Sequence, residues 1–171
     1  MANTDSPRGF HPIRHLCGGE IRTNPYVMTA SATVYPGDVI KIVADGTVEG
    51  AAADIGTAAI GIAAEYKAAS STAGATKLEV YDDPYIIFEV QADTGTVLTQ
   101  AAIGNTANHV ATAGSATDKM SRQELDSSDV GTGAQFKILR LVDRAGNTMA
   151  EHGKFEVVFN EHHYKAAVAG V

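Results

Sequence analysis

Hydrophobic and polar positions alternate at period two along much of this chain, the spacing of β-strands rather than helices. The clearest stretch starts on the turn Tyr35-Pro36-Gly37-Asp38 and continues Val39-Ile40-Lys41-Ile42-Val43. Both faces of this strand carry apolar side chains, with Val39 and Val43 on one and Ile40 and Ile42 on the other. Lys41 marks a point where the first face reaches water. Asp45-Gly46 then supplies a hairpin turn before Thr47-Val48-Glu49. The strand Ala59-Ile60-Gly61-Ile62-Ala63 resumes the pattern. Gly61, inside an apolar strand, predicts a bulge or a close backbone approach.

Further strands follow the same rule. Tyr26 to Ala30 and Ala32 to Tyr35 precede the Pro-Gly turn. Thr76-Lys77-Leu78-Glu79-Val80-Tyr81 alternates until Asp82-Asp83-Pro84 ends it. Tyr85 to Gln91 places Ile86, Phe88 and Val90 on one face. Gln135 to Val142 is apolar on both faces at its centre. Lys154 to Asn160 sets Phe155, Val157 and Phe159 against Lys154, Glu156 and Asn160, the signature of a half-buried antiparallel strand. Seven or eight short strands with turn signals and little helix predict an all-β, mainly antiparallel fold, a small β-barrel or sandwich. No fixed-period repeat is present.

Residues 1–25 break this regularity. Pro7, Gly9, Pro12, Gly18, Gly19 and Pro25 punctuate them too often for a long helix. Phe10, Ile13, Leu16 and Ile21 are interleaved with Arg8, His11, Arg14, His15 and Arg22. Apolar groups in an irregular segment need a surface to bury against, on this subunit or another. The segment is read as an extended N-terminal arm that docks on a partner, with folding back onto its own body as the alternative. The contact residues expected are Phe10, His11, Ile13, Arg14, His15, Leu16, Ile21 and Arg22.

Residues 93–134 change to Thr, Ala, Gly, Asp and Ser and read as a long excursion from the domain at 26–164. One or two short helices are expected within it. Thr96 is placed to cap a helix over Val97 to Ala102, and Ser121 and Glu124 have the spacing of a capping box. Residues 68–75 read as a flexible loop and 165–171 as an uncommitted tail.

Composition narrows the function classes. The 171 residues carry a net charge of -7, from 20 acidic and 13 basic residues, with no Trp and 6% aromatics. The basic patch of a direct nucleic-acid binder is not visible. No run of about 18 apolar residues appears, so no membrane helix is expected. The polar start Met1-Ala2-Asn3-Thr4-Asp5-Ser6-Pro7 lacks the apolar region of a signal peptide, and synthesis in a cytoplasm is expected. Cys17, the single cysteine, excludes an intrachain disulfide and reads as a buried or loosely packed thiol.

Candidate chemistry is sparse. His162 and His163 are adjacent, so a regular strand points them to opposite faces. His11 and His15 have helical spacing in a segment that Pro12 keeps from being a helix. No zinc spacing, EF-hand loop, P-loop, dinucleotide fingerprint or Gly-x-Ser-x-Gly elbow occurs. The reading assigns no catalytic residue, no cofactor and no metal ligand.

The ordered series Thr33 to Ile42, Asp45-Gly46-Thr47-Val48 and Ala59 to Ala63 resembles the head-decoration (cement) proteins of tailed phages. Glu79 to Pro84 and Phe88 to Asp93 carry the same likeness. Ser121 to Asp126 and Phe136 to Leu141 are similar to segments of cyanophage and other marine phage structural proteins. The likeness spans roughly residues 26–160 and rests on turn and strand patterns. It implies a viral structural protein on the outer capsid surface of the virion, commonly a homotrimer, that cements neighbouring subunits of the major capsid protein. No motif of that family maps onto residues 1–25, so their role in capsid contact rests on composition. Two alternatives from other classes are a head-fibre or tail-associated β-protein binding host glycans and a small β-barrel enzyme using His109 or His163.

Overall fold

The computed structural model describes residues 3–52, 58–72 and 74–165. The tail beyond residue 165 and most of the small-residue stretch after Ala52 lie outside the described residues. Among those described, thirteen strands form three antiparallel sheets, none closed into a barrel. The fold is all-β, in the form of a sandwich.

The strands are β1 (His11–His15), β2 (Asn24–Val27), β3 (Thr33–Val34), β4 (Val39–Ile42), β5 (Val48–Gly50), β6 (Ala59–Ala63) and β7 (Lys67–Ala68). They continue as β8 (Lys77–Tyr81), β9 (Ile86–Gln91), β10 (Thr106–Val110), β11 (Glu124–Gly131), β12 (Phe136–Leu141) and β13 (Lys154–Phe159). The first sheet has six strands in the order β1-β9-β13-β12-β10-β11, and the second has five in the order β2-β8-β6-β4-β5. β3 and β7 pair as a separate ribbon.

Two apolar clusters explain the layering. The larger one joins Ile86, Phe88, Val90, Phe136, Ile138, Phe155, Val157 and Phe159 of the first sheet to Val39, Ala59 and Ile62 of the second. The smaller one gathers Ile40, Val48, Ile60, Leu78 and Val80 from the opposite face of the second sheet, with Val34 of the ribbon. The second sheet is thus apolar on both faces, as the paired apolar residues of β4 require.

β6 changes face within one strand. Ile40 sits opposite Gly61 and Lys41 opposite Ala59, so Ile60 is the extra residue of a bulge. The bulge lets Ile60 enter the smaller cluster while Ile62 enters the larger. The Asp45-Gly46 turn closes the β4–β5 hairpin, with the Gly46 N–H on the Val43 carbonyl.

The arm expected over residues 1–25 is part of the sandwich. β1 is the edge strand of the first sheet and β2 the edge strand of the second. Residues 16–23 cross between them. Asn3 clasps the turn before β13, donating from Nδ2 to the carbonyls of Thr148 and Glu151, both at 2.9 Å. The Arg122 guanidinium holds the Pro7 carbonyl at 3.1 Å. Folding back prevails because Phe10 finds a place in the larger cluster.

The excursion expected over 93–134 carries two strands of the first sheet, β10 and β11. The predicted helix at Ser121 to Leu125 does not form. Gln123 precedes β11 outside any helix, its Oε1 accepting the Val39 N–H at 2.9 Å, and Leu125 is fully buried within β11. Tertiary contacts outweigh the local capping signal. The predicted helix over Val97 to Ala102 shrinks to a 3-10 turn at Gln100–Ala102, entered from an extended Thr99. Thr96 does not cap it; its N–H goes to Ser127 Oγ at 2.7 Å.

Candidate interaction surface

The eight residues expected to touch a partner separate into three groups. Phe10 leaves the set altogether. Its ring is fully buried and stacks on Phe136 at 4.4 Å between centroids. Its apolar character, read as a sign of docking, serves this chain's own core.

His11, Arg14 and His15 are polar residues of β1 with partners or surroundings on the first sheet. His11 borders a cleft of about 460 Å³ lined by Ser6, Arg8, Glu89, Arg144 and Lys154. Burial holds its imidazole below the usual histidine range, against the opposing pull of Glu89. Its Nε2 is enclosed without a hydrogen-bond partner. Arg14 pairs with Glu156, which Arg140 also approaches at 3.2 Å. Glu156 lies opposite Glu89 in the register, and Arg144 neutralises Glu89 at 2.8 Å. Three guanidiniums therefore serve two adjacent carboxylates on this face.

His15 shapes the crossover. Its Nδ1 accepts the N–H groups of Cys17 at 3.1 Å and Gly19 at 3.0 Å. That leaves Nε2 as the protonated nitrogen, donating to Asp83 Oδ2 at 3.1 Å. His11 and His15 do not converge on one site, because they stand at opposite ends of the extended strand β1.

Ile13, Leu16, Ile21 and Arg22 remain, and all four are exposed. Ile13, Leu16 and Ile21 keep 39%, 51% and 38% of their surface in solvent, among the largest exposures of big apolar side chains in the described residues. Cys17, expected to be buried or loosely packed, is exposed in the same crossover.

Two tyrosines that the sequence did not single out extend this patch. Leu16 N–H bonds to the Tyr85 carbonyl at 2.8 Å, which sets the half-exposed Tyr85 ring beside the crossover. Tyr85, Tyr164, Arg22, Asn24, Asp82 and Asp83 line a shallow depression of about 390 Å³. Tyr26 bonds the Tyr164 hydroxyl and donates its own proton to Asp82 at 2.6 Å. Burial, then that bond to Asp82, holds the Tyr26 phenol well above its usual range. Asn24 Nδ2 also donates to Asp82, at 2.9 Å. This polar chain, anchored on the buried Asp82, holds the exposed Tyr164 ring. The signal for Tyr85 was the Asp82-Asp83-Pro84 turn, which delivers the next residue to the end of a sheet.

Apolar side chains on a crossover held by His15, flanked by phenols and one guanidinium, match the composition of protein-binding patches. Comparison with protein-family models, with curated proteins and with solved structures gave no match.

Proposed function

We propose that this protein is a viral structural protein that binds the outer surface of a mature tailed-phage capsid and cements neighbouring major capsid subunits. The observation that carries the reading is the set of exposed side chains formed by Ile13 on β1 and Leu16, Ile21 and Arg22 on the crossover, with Arg22 sharing a depression with Tyr85 and Tyr164. The phage likeness of the strand series supplies the identity of the partner. The residues that carry it lie in β3, β4, β5, β6, β8, β9, β11 and β12, the body from which the patch projects.

Burying an exposed aliphatic or aromatic side chain contributes about 1.5–3 kcal/mol before the costs of association. A single copy with so small a patch binds weakly. Trimerisation multiplies that contact by avidity. Binding only the expanded shell then stabilises it by mass action.

The test is to incubate the protein with expanded capsids and measure copies per particle by co-sedimentation. The wild-type chain is expected to approach the copy number of the major capsid protein. The triple variant Ile13→Ser, Leu16→Ser, Ile21→Ser is expected to lose most of that binding while remaining folded. Equal occupancy by the variant would overturn the patch assignment. Particle imaging that placed the protein on the tail would overturn the capsid role.

A further inference from the structure

Away from the crossover, three side chains from distant parts of the chain meet beside the N-terminal segment. Asp5 comes from that segment, Glu124 opens β11, and His152 lies in the turn before β13. One donor atom of each lies within 4.8 Å of the other two. Asp5 Oδ1 and His152 Nδ1 are 3.6 Å apart, too far for a hydrogen bond. His152 Nδ1 is enclosed by protein and has no hydrogen-bond partner. His152 also adopts a left-handed backbone, at φ 58°, which is uncommon for a residue with a side chain.

The carboxylates are arranged as ligands are. Gln91 Nε2 donates to Asp5 Oδ1 at 3.0 Å and to Glu124 Oε1 at 2.9 Å. One amide therefore orients both acids, the role an outer-shell group plays around a metal. A cation among these groups would give the orphaned imidazole nitrogen a partner.

We propose that Asp5, Glu124 and His152 form a binding site for a transition-metal dication of the Zn²⁺ class, which clamps the N-terminal segment to the first sheet. The imidazole nitrogen decides the class. Ca²⁺ and Mg²⁺ take oxygen donors, whereas a mixed nitrogen and carboxylate set suits Zn²⁺. Three protein donors leave the remaining position to water. The clamp is structural. It adds a bond to a segment otherwise held by Asn3, by the Ser6 N–H on Gln91 Oε1 at 3.0 Å, and by the Pro7 carbonyl.

The full-length chain, stripped with EDTA, is titrated with Zn²⁺ and separately with Ca²⁺ by calorimetry. One equivalent of Zn²⁺ is expected to bind, with no Ca²⁺ binding at the same concentrations. Asp5→Asn, Glu124→Gln and His152→Asn are each expected to weaken Zn²⁺ at least about tenfold, and His163→Asn is expected to leave it unchanged. Asp5 is the decisive position because its side chain is 62% exposed and it lies outside every strand, so its substitution is expected to leave the sheets intact. Hydrogen exchange supplies a second readout: Zn²⁺ slows exchange of the Ser6 amide in the wild type and not in Asp5→Asn. Absence of Zn²⁺ binding, a preference for Ca²⁺, or Zn²⁺ binding that survives Asp5→Asn unchanged overturns the proposal.

Discussion

Gly9 and Gly37 lie back to back, and each leaves no room for a side chain on the other. Both have left-handed backbones, at φ 73° and 94°. A Cβ on Gly9 would come within 2.4 Å of the Gly37 carbonyl oxygen, and one on Gly37 within 2.7 Å of the Arg8 carbonyl oxygen. The next residue then seals the contact, with the Phe10 N–H on the Gly37 carbonyl at 3.0 Å. The Pro-Gly-Asp turn that begins β4 is therefore also the dock for the N-terminal segment.

Gly37→Ala and Gly9→Ala are expected to destabilise the fold by about 3 kcal/mol each, from backbone strain together with the clash. The double variant should cost less than the sum, because the two sites share one contact. Urea unfolding of the four proteins measures both quantities. Losses below about 0.5 kcal/mol would show that the segment does not dock there.

Phe10→Ala should cost about 3–5 kcal/mol, the usual range for emptying a buried aromatic site. Denaturant midpoints with an unchanged slope would report it. By the same logic, deleting residues 1–25 removes β1, the edge strand of the first sheet, and half of β2, the edge strand of the second. The truncated chain is expected to lose cooperative unfolding, so point substitutions on the crossover are the cleaner probe of binding.

Those substitutions should leave the fold intact. Ile13→Ser, Leu16→Ser and Ile21→Ser are each expected to change stability by no more than about 0.5 kcal/mol, as surface replacements do. A larger loss would mean that the patch is packed within the subunit and is not a docking surface.

Acid should weaken the protein through its buried imidazoles. His162 is fully buried, and its burial pushes the imidazole down to about 4 from 6.5. Above pH 6.5 the group is neutral in both states. As pH falls from 6.5 towards 4, the unfolded chain takes up a proton that the folded chain refuses, so stability drops across that window. The loss from this group is about 3 kcal/mol. Burial shifts His109 and His11 in the same direction. Unfolding free energies between pH 7 and 4 should fall steadily, and His162→Gln should flatten the profile.

Arg14→Ala should cost no more than about 1 kcal/mol, because the guanidinium is 44% exposed and Arg140 stays beside Glu156. Thermal unfolding in low and high salt checks it, and a large salt-independent loss would contradict the shared-carboxylate account.

The all-β character of this protein was legible in its sequence because strand formation there is a local matter. The alternation of β4, β8, β9 and β13, the Asp45-Gly46 turn and the stop at Asp82-Asp83-Pro84 each act within a few residues. Gly61 announced its bulge for the same reason. β10 and β11 were not legible, because their inward positions include small or polar side chains. Ser127 faces inward and is satisfied by Asp93 and the Thr96 N–H, partners about thirty residues away in sequence. The fate of residues 1–25 was equally hidden. Phe10 and Leu16 look alike in the chain, yet one lies against Phe136 and the other in water. Local pattern is enough to make this chain form strands and to place many of their turns. Which apolar residues the sandwich consumes, and which stay outside, is settled by long-range packing. Burial depends on what the rest of the chain brings alongside, and those partners are set by sheet order, not by neighbours in sequence.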